Sequence, residues 1–241
     1  MSSWLKYTFV SALGLGLLAC NDVQSTISQP DIRQPGNRTA NSLGIAPPAS
    51  MRRGGKSHFK KRVREIAQQR PLDGGVLFVG DSITEGGDWA GLFPSVPTAN
   101  HGVGWDTIDG VKARLPQIIL NNPDKIFIMI GTNDIGYNSE AADMAAKLEG
   151  VIQGLRSSRP EAELFLQSVL PREESKIGIV AAINMEFAKL ATDKNITFIN
   201  LTSNFSDPKG RLRAELTNDG LHLNSAGYAV WAEAIRSPVV N

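Results

Sequence analysis

The chain has 241 residues, of which 41% are hydrophobic and 20% are charged, and its formal net charge is +1. This composition is typical of an ordinary globular domain and argues against a disordered chain or a coiled coil. The small net charge provides no general attraction to nucleic acid, so we expect no nucleic-acid partner.

The first predicted element, residues 1–19, is an export signal. Lys6 precedes an apolar stretch that is too short to span a bilayer comfortably, and small residues follow. The stretch ends in LLAC, which resembles a bacterial lipobox, and Cys20 is the only cysteine. We therefore predict an exported cell-envelope lipoprotein, periplasmic or on the cell surface, that is anchored to a membrane through lipidated Cys20. The alternative is an ordinary signal peptide with a chance cysteine at its end.

The next two segments differ in composition. Residues 20–50 are rich in Ser, Gln, Asn, Pro, Gly and Thr without an apolar period, which predicts a disordered tether. Residues 51–70 contain eight Lys and Arg and one Glu, a net charge of +7. Phe59, Val63 and Ile66 recur there at helical spacing, so we expect an amphipathic helix packed on the domain with a solvated basic face. Alternatively, that face binds anionic lipid headgroups or cell-wall polymer.

Beyond Pro71 the chain alternates strand and helix patterns. Five short apolar runs predict buried strands at residues 75–80, 97–102, 125–131, 162–171 and 196–201. Helical patterns follow at residues 106–121 with a break near Pro116, 139–157, 174–194 and 224–236. This alternation predicts one α/β domain over residues 51–241, with a five-stranded, mainly parallel sheet between two layers of helices.

Polar clusters follow four of the predicted strands. The carboxyl ends of parallel strands share one edge of the sheet, and open α/β sheets bind ligands at that edge. The clusters contain the parts of an acyl-transfer site: a hydroxyl nucleophile, a base, an acid and two amide donors. The nucleophile would be Ser82, the base His222 and the acid Asp219. The two amide donors would be Gly102 and Asn133. Asp219 and His222 are close enough in the chain for one turn to hold both.

Four sequence blocks, taken in chain order, resemble the GDSL or SGNH hydrolase family. They are GDSIT at 80–84, NHGVG at 100–104, GTND at 131–134 and DGLH at 219–222. The segment ARLPQIILNNPDKIFIMIGTNDI is similar to the small branch of platelet-activating-factor acetylhydrolase subunits and bacterial acyl esterases.

The resemblance covers the chain from about residue 74 to its end and implies a flavodoxin-like three-layer α/β/α fold. It also implies a catalytic triad of Ser82, Asp219 and His222. The oxyanion hole would be formed by the backbone amides of Ser82 and Gly102 and by the side chain of Asn133. No metal or organic cofactor is implied.

One residue of the second block, His101, and the residue that follows the block, Trp105, are assigned to the substrate pocket. Trp105 stands where many relatives have a small residue, so we predict that it makes the pocket beside the oxyanion hole narrower or more aromatic. His101 occupies the variable position of the block, and we predict a hydrogen-bonding loop residue there rather than a second base.

The predicted function is a serine esterase that hydrolyses short-chain, acetyl-type esters of a carbohydrate or lipid through an acyl-enzyme. The short spacing between blocks leaves no obvious long lid, which favours short acyl chains. Two alternatives stay open: an O-acyltransferase that uses the same site, and a lipoprotein that binds glycan or lipid without catalysis. The three histidines lack metal-ligand spacing and no phosphate-binding loop is present. The oligomeric state is left open.

Overall fold

A computed structural model describes residues 43–241, so the predicted export signal and Cys20 lie outside the described range. Five strands form one sheet: β1 (Val76–Gly80), β2 (Thr98–Gly102), β3 (Lys125–Met129), β4 (Glu163–Gln167) and β5 (Thr197–Ile199). Their order is β2-β1-β3-β4-β5, and every neighbouring pair is parallel. The predicted five-stranded parallel sheet is confirmed, with strands somewhat shorter than their apolar runs.

Ten α-helices are present in residues 43–241. They are α1 (Arg53–Gln68), α2 (Ser82–Glu85), α3 (Trp89–Leu92), α4 (Ile108–Ala113), α5 (Leu115–Ile118), α6 (Thr132–Ile135), α7 (Ala141–Ser158), α8 (Ile177–Asp193), α9 (Thr202–Phe205) and α10 (Ser225–Val240). The predicted helix with a break near Pro116 is divided into α4 and α5. Helices α2, α3, α6 and α9 were not predicted, because four residues are too few to show a helical period. No helix in this range is both long and apolar enough to cross a membrane.

The helices cover both faces of the sheet. On one face, Leu77 and Val79 of β1 belong to an apolar cluster with α4, α7 and α8. On the other face, Val76 and Phe78 belong to a cluster with α2, α3 and α10. Successive side chains of a strand point to opposite faces, so the uninterrupted apolar run of β1 buries both of its faces. The three-layer prediction is confirmed.

Helix α1 packs on the domain through an apolar stripe. Phe59, Val63 and Ile66 are buried and cluster with Met51 and with Val103, the residue that follows β2. The amphipathic helix predicted from their spacing is therefore present.

Two details of this region differ from the prediction. Arg62 is not part of a solvated basic face, because its guanidinium group donates to the carbonyl oxygens of Asn100 and Gly102 at 3.0 and 3.1 Å. Ile45 packs against the cluster beneath α1, so contacts with the domain begin before residue 51.

The strand order determines where a ligand site can form. From β1 the chain continues first to β2 on one side and then crosses to β3 on the other. Connections that diverge in this way leave a crevice between the carboxyl ends of the two strands. The segments that follow β1 and β3 begin α2 and α6, so the first residues of these two helices border the crevice.

Candidate active site

The end of β1 places Ser82 at the crevice. Ser82 is the first residue of α2, and Asp81 caps this helix by accepting a hydrogen bond from the Ile83 amide at 2.9 Å. The side chain of Asp81 is buried, and this hydrogen bond stabilises the turn between β1 and α2. The serine hydroxyl is thus held at the start of a helix whose cap is part of the core.

The structure brings Ser82, His222 and Asp219 together. Ser82 Oγ lies 3.0 Å from Nε2 of His222, and Nδ1 of the same ring lies 2.7 Å from Oδ2 of Asp219. The Asp219 carboxylate accepts a hydrogen bond from Nδ1–H of His222, which leaves Nε2 as the acceptor that faces the serine hydroxyl. A hydroxyl, an imidazole and a carboxylate in this sequence of contacts can activate the hydroxyl as a nucleophile.

The turn that carries the acid and the base is built around Asp219. Its Oδ1 accepts hydrogen bonds from the backbone amides of Leu221 and His222 at 2.9 and 2.7 Å. The hydrogen bonds from the side chain and the backbone of His222 hold the pKa of Asp219 well below its usual range. Asp219 is therefore a carboxylate at any pH at which the protein would be assayed.

Thr217 supports this turn and was not recognised in the sequence. Its hydroxyl donates to the carbonyl oxygen of His222 at 2.6 Å and accepts from the amide of Gly220 at 3.0 Å. Threonine hydroxyls bond to the nearby backbone in turns, and the run of turn-forming residues TNDG at 217–220 is a signal that could have identified Thr217.

The site is open to solvent. The side chains of His222 and Asp219 are 48% and 53% exposed. A substrate can therefore reach the serine without a large movement of the described part of the chain.

Asn133 lies beside the same crevice as part of α6. Its Nδ2 donates to the carbonyl oxygen of Asp106 at 2.8 Å. A side-chain amide nitrogen carries two hydrogens, so one of them stays available to a substrate oxygen. The bond to Asp106 also ties α6 to the loop that follows β2.

Gly102, whose amide is predicted to donate to the oxyanion, does not have its N–H free for that role. Its N–H donates to Oδ1 of Asn100 at 2.8 Å and is therefore already used. The glycine is required for packing: a Cβ at this position would lie 2.1 Å from the backbone nitrogen of Glu85. Nδ2 of Asn100, a residue not assigned a role from the sequence, lies 3.0 Å from each of the carbonyl oxygens of Thr84, Glu85 and Gly87, which share its two hydrogens.

Trp105 is half exposed and has an unusual backbone conformation. Its φ is +66°, in the left-handed region that is strained for a bulky residue by about 1 kcal/mol or more. Its amide N–H and that of Ser82 have no hydrogen-bond acceptor among residues 43–241. The next residue, Asp106, is the one bonded by Asn133, so the backbone of Trp105 lies close to the Asn133 side chain.

His101 does not line a substrate pocket, and it is not a loop residue. It belongs to β2, is only 3% exposed, and its Nε2 lies 3.4 Å from Nδ2 of Asn121. Burial, together with the nearby cations Arg114 and Arg62, lowers the pKa of His101 to about 3. The alternation of side chains along β2 places it on the face opposite to that of Asn100.

We expect His101→Phe to flatten the dependence of stability on acid pH. Above the pKa of an unfolded histidine, about 6.5, the ring is neutral in both states. Below that pH the unfolded chain binds the proton and the folded chain does not, so wild-type stability falls until the pH reaches the folded pKa of about 3. Between pH 7 and 5 the wild type should lose about 2 kcal/mol more than the variant. Urea unfolding at both pH values measures this difference, and equal losses would contradict it.

Three buried aspartates lie behind the site. Burial raises the pKa of Asp81 and Asp134 to about 7 each, and that of Asp106 to about 6. The shift of Asp106 is limited by Arg114, whose Nε donates to its carboxylate at 2.8 Å. The Asp134 side chain accepts a hydrogen bond from the amide of Ile108, the first residue of α4, at 3.3 Å, so it connects α6 to α4.

The geometry supports nucleophilic attack by a serine. Within the described range, no group of three or more His, Cys, Asp or Glu side chains is arranged to hold a metal ion. The Ser82–His222–Asp219 contacts need only a substrate with an electrophilic carbon within reach of the serine oxygen.

Comparisons with known proteins agree with this chemistry. Residues 78–230 match the GDSL-like Lipase/Acylhydrolase family. The platelet-activating factor acetylhydrolase IB subunit alpha2 of Rattus norvegicus is 29% identical over 167 residues, which cover 64% of this chain and 71% of that protein.

Solved structures share the fold. A Streptococcus pneumonia protein, solved as a candidate platelet activating factor, superposes with a TM-score of 0.65 at 28% identity and covers 77% of this chain and 92% of its own. A variant of an acetyl-xylooligosaccharide esterase from Geobacillus Stearmophilus superposes with a TM-score of 0.59 at 20% identity, over 71% of this chain and 96% of its own. At that identity the second likeness concerns the fold alone.

Proposed function

The chain belongs to the GDSL-like lipase/acylhydrolase family and is a carboxylic ester hydrolase, and from this premise we propose that it is a serine esterase acting on short-chain, acetyl-type esters of a carbohydrate or lipid. The observation that carries the proposal is the continuous contact from Ser82 through His222 to Asp219, at 3.0 and 2.7 Å.

The proposed reaction has two stages. Ser82 Oγ attacks the ester carbonyl carbon while His222 Nε2 takes its proton, and Asp219 stabilises the resulting imidazolium. The tetrahedral intermediate collapses, the alcohol leaves with the proton from His222, and the acyl group stays on Ser82. Water, deprotonated by His222, then attacks the acyl carbon and releases the acid, and Ser82 regains its proton.

The proposed oxyanion hole differs from the sequence-based assignment by one residue. We assign the N–H groups of Ser82 and Trp105 and the second Nδ2 hydrogen of Asn133 to the developing oxyanion. Trp105 replaces Gly102 because the N–H of Gly102 is used by Asn100, whereas that of Trp105 has no acceptor in residues 43–241. Donors of this kind stabilise the charge that appears only in the transition state.

Three observations favour short acyl chains. The His222 and Asp219 side chains are about half exposed, so the site is not the end of a deep tunnel. Trp105 places a large indole on the loop beside the site. A relative in sequence, 29% identical over 167 residues, carries acetylhydrolase in its name.

A panel of p-nitrophenyl esters from acetate to palmitate tests the chain-length proposal. We expect kcat/KM to be highest for acetate or butyrate and to fall steeply for octanoate and longer chains. A maximum at palmitate would contradict the short-chain proposal and leave serine esterase activity intact. A folded enzyme without turnover on any ester would favour the non-catalytic alternative.

The fate of the acyl group separates hydrolysis from transfer. Acetate release is measured with and without an added sugar alcohol, and products are identified by mass spectrometry. Hydrolysis predicts one free acetate per p-nitrophenol under both conditions. Acetyl groups found mainly on the sugar would support the O-acyltransferase.

We also propose that the enzyme is an exported cell-envelope lipoprotein attached to a membrane through Cys20. The support is the LLAC sequence that ends the apolar leader and the absence of any other cysteine. The protein purified from a bacterial membrane fraction should begin at a diacylglyceryl-modified Cys20. The Cys20→Ala variant should no longer be found in the membrane fraction. An unmodified Cys20 in the mature protein would refute the anchor, and it would leave the esterase proposal unaffected.

A further inference from the structure

The loop from Val103 to Asp106 is held in place by a helix outside the family-matched residues 78–230. We propose that α1, through His58, Arg62 and Gly55, positions this loop for catalysis, with Glu85 as the connecting residue. The inference rests on the proposed esterase function and adds to it a role for α1, which precedes the matched region.

The carboxylate of Glu85 links α1 to the loop. Its Oε2 accepts a hydrogen bond from the backbone amide of Gly104 at 2.5 Å. The same oxygen lies 2.9 Å from Nε2 of His58, and Oε1 lies 3.6 Å from Nε of Arg62. Glu85 is the last residue of α2, the helix that Ser82 begins, so one side chain connects the nucleophile helix, the loop and α1.

Arg62 restrains the same segment directly. It donates to the carbonyl oxygens of Asn100 and Gly102 at 3.0 and 3.1 Å. Arg62 and Glu85 thus hold every second residue of the backbone before Trp105, namely Asn100, Gly102 and Gly104. A bulky residue stays in the left-handed region only when its surroundings enforce that conformation, and these contacts provide the restraint.

Gly55 brings the backbone of α1 into contact with Trp105 in the loop. A Cβ at Gly55 would lie 2.9 Å from Cβ and 3.2 Å from Cγ of Trp105. The backbone of α1 is therefore pressed against the base of the Trp105 side chain. At Gly54, one residue earlier in the same helix, an added Cβ would meet nothing within 4 Å.

This arrangement predicts an effect on the chemical step rather than on substrate binding. A small displacement of the loop moves the Trp105 N–H away from the oxyanion while the site stays open to the ester. Interactions made only in the transition state change kcat and leave KM nearly unchanged. Glu85, His58 and Arg62 are thus positioning residues.

The first experiment compares two substitutions of Glu85 on p-nitrophenyl acetate. Glu85→Ala should lower kcat by about 10- to 100-fold with little change in KM, because the loop loses its anchor. Glu85→Gln should recover most of the activity, since its side-chain oxygen can still accept from Gly104. Glu233→Ala, which removes an exposed carboxylate paired with Arg236 on α10, is the control and should match the wild type.

The second experiment tests whether His58 acts through Glu85. We expect His58→Ala to lower kcat less than Glu85→Ala does. The double variant should be no slower than Glu85→Ala alone, because the contact is already lost. Independent, multiplying losses would overturn the proposed link between α1 and the loop.

The two adjacent glycines of α1 provide a test that leaves Glu85 intact. Gly55→Ala should lower kcat because the new methyl group displaces Trp105, and Gly54→Ala should behave as the wild type. Thermal unfolding of both variants verifies that they are folded, and the Gly55 comparison decides the question if Glu85→Ala does not fold.

The failures of the two proposals are distinguishable. Wild-type turnover combined with unchanged kcat in Glu85→Ala and Gly55→Ala would overturn the positioning role and leave the esterase function in place. A loss confined to KM would also overturn it. A folded wild type that turns over no ester would overturn both proposals.

Discussion

Ser82→Ala is expected to lower kcat on p-nitrophenyl acetate by about 10⁵- to 10⁶-fold. Ser82 contacts His222 through its hydroxyl, at 3.0 Å, so the substitution removes the nucleophile and leaves the histidine and the backbone N–H in place. The residual rate should come from oxyanion donors and substrate binding alone.

The measurement combines kinetics with covalent labelling. A fluorophosphonate reagent should add one group to the wild type, detected by intact mass, and none to Ser82→Ala. Ser95→Ala is the matched control, because Ser95 is exposed and lies just before β2, at the opposite end of the sheet from the site. Retained turnover or labelling in Ser82→Ala would mean that another residue is the nucleophile.

Asp219→Asn is expected to lower kcat by about 10⁴-fold while the fold stays intact. The asparagine oxygen can still accept from the amides of Leu221 and His222, so the turn is preserved. The new NH₂ group faces Nδ1 of His222 and donates to it, which moves the ring proton to Nε2. Nε2 then cannot accept the proton of Ser82, so His222 no longer acts as a base although the side chains keep their positions.

The control for Asp219→Asn is Asp207→Asn, because Asp207 has the same local geometry. One oxygen of Asp207 accepts hydrogen bonds from the backbone amides of Lys209 and Arg211 at 2.8 and 2.9 Å, and the other accepts from the Arg211 side chain. Asp207→Asn should leave kcat unchanged. Because hydrogen bonds hold the pKa of Asp219 well below its usual range, Asp219 stays ionised from pH 6 to pH 9 and does not itself change the wild-type rate over that interval. Wild-type rates in Asp219→Asn would exclude Asp219 as the partner of His222.

Local patterns in the sequence were sufficient for the architecture. The continuous apolar run of β1 and the spacing of Phe59, Val63 and Ile66 each report which side of an element is buried, and burial depends on side chains close together in the chain. Alternating strands and helices then leave few arrangements other than a parallel sheet between two helical layers. The order of the blocks likewise placed Ser82, Asp219 and His222 at one sheet edge, where the structure brings them into contact.

Only the tertiary structure decided how individual backbone amides are used. The N–H of Gly102 is used by Asn100, and the positive φ of Trp105 sets the course of the chain beside Asn133. The face on which His101 lies depends on the alternation of β2, which a short run of polar residues did not reveal. The same holds for α1, whose His58 reaches Glu85 across 27 residues of chain. Sequence periodicity identifies a buried face, but the partner of each polar group depends on packing between segments that are distant in the chain, so these assignments required the assembled fold.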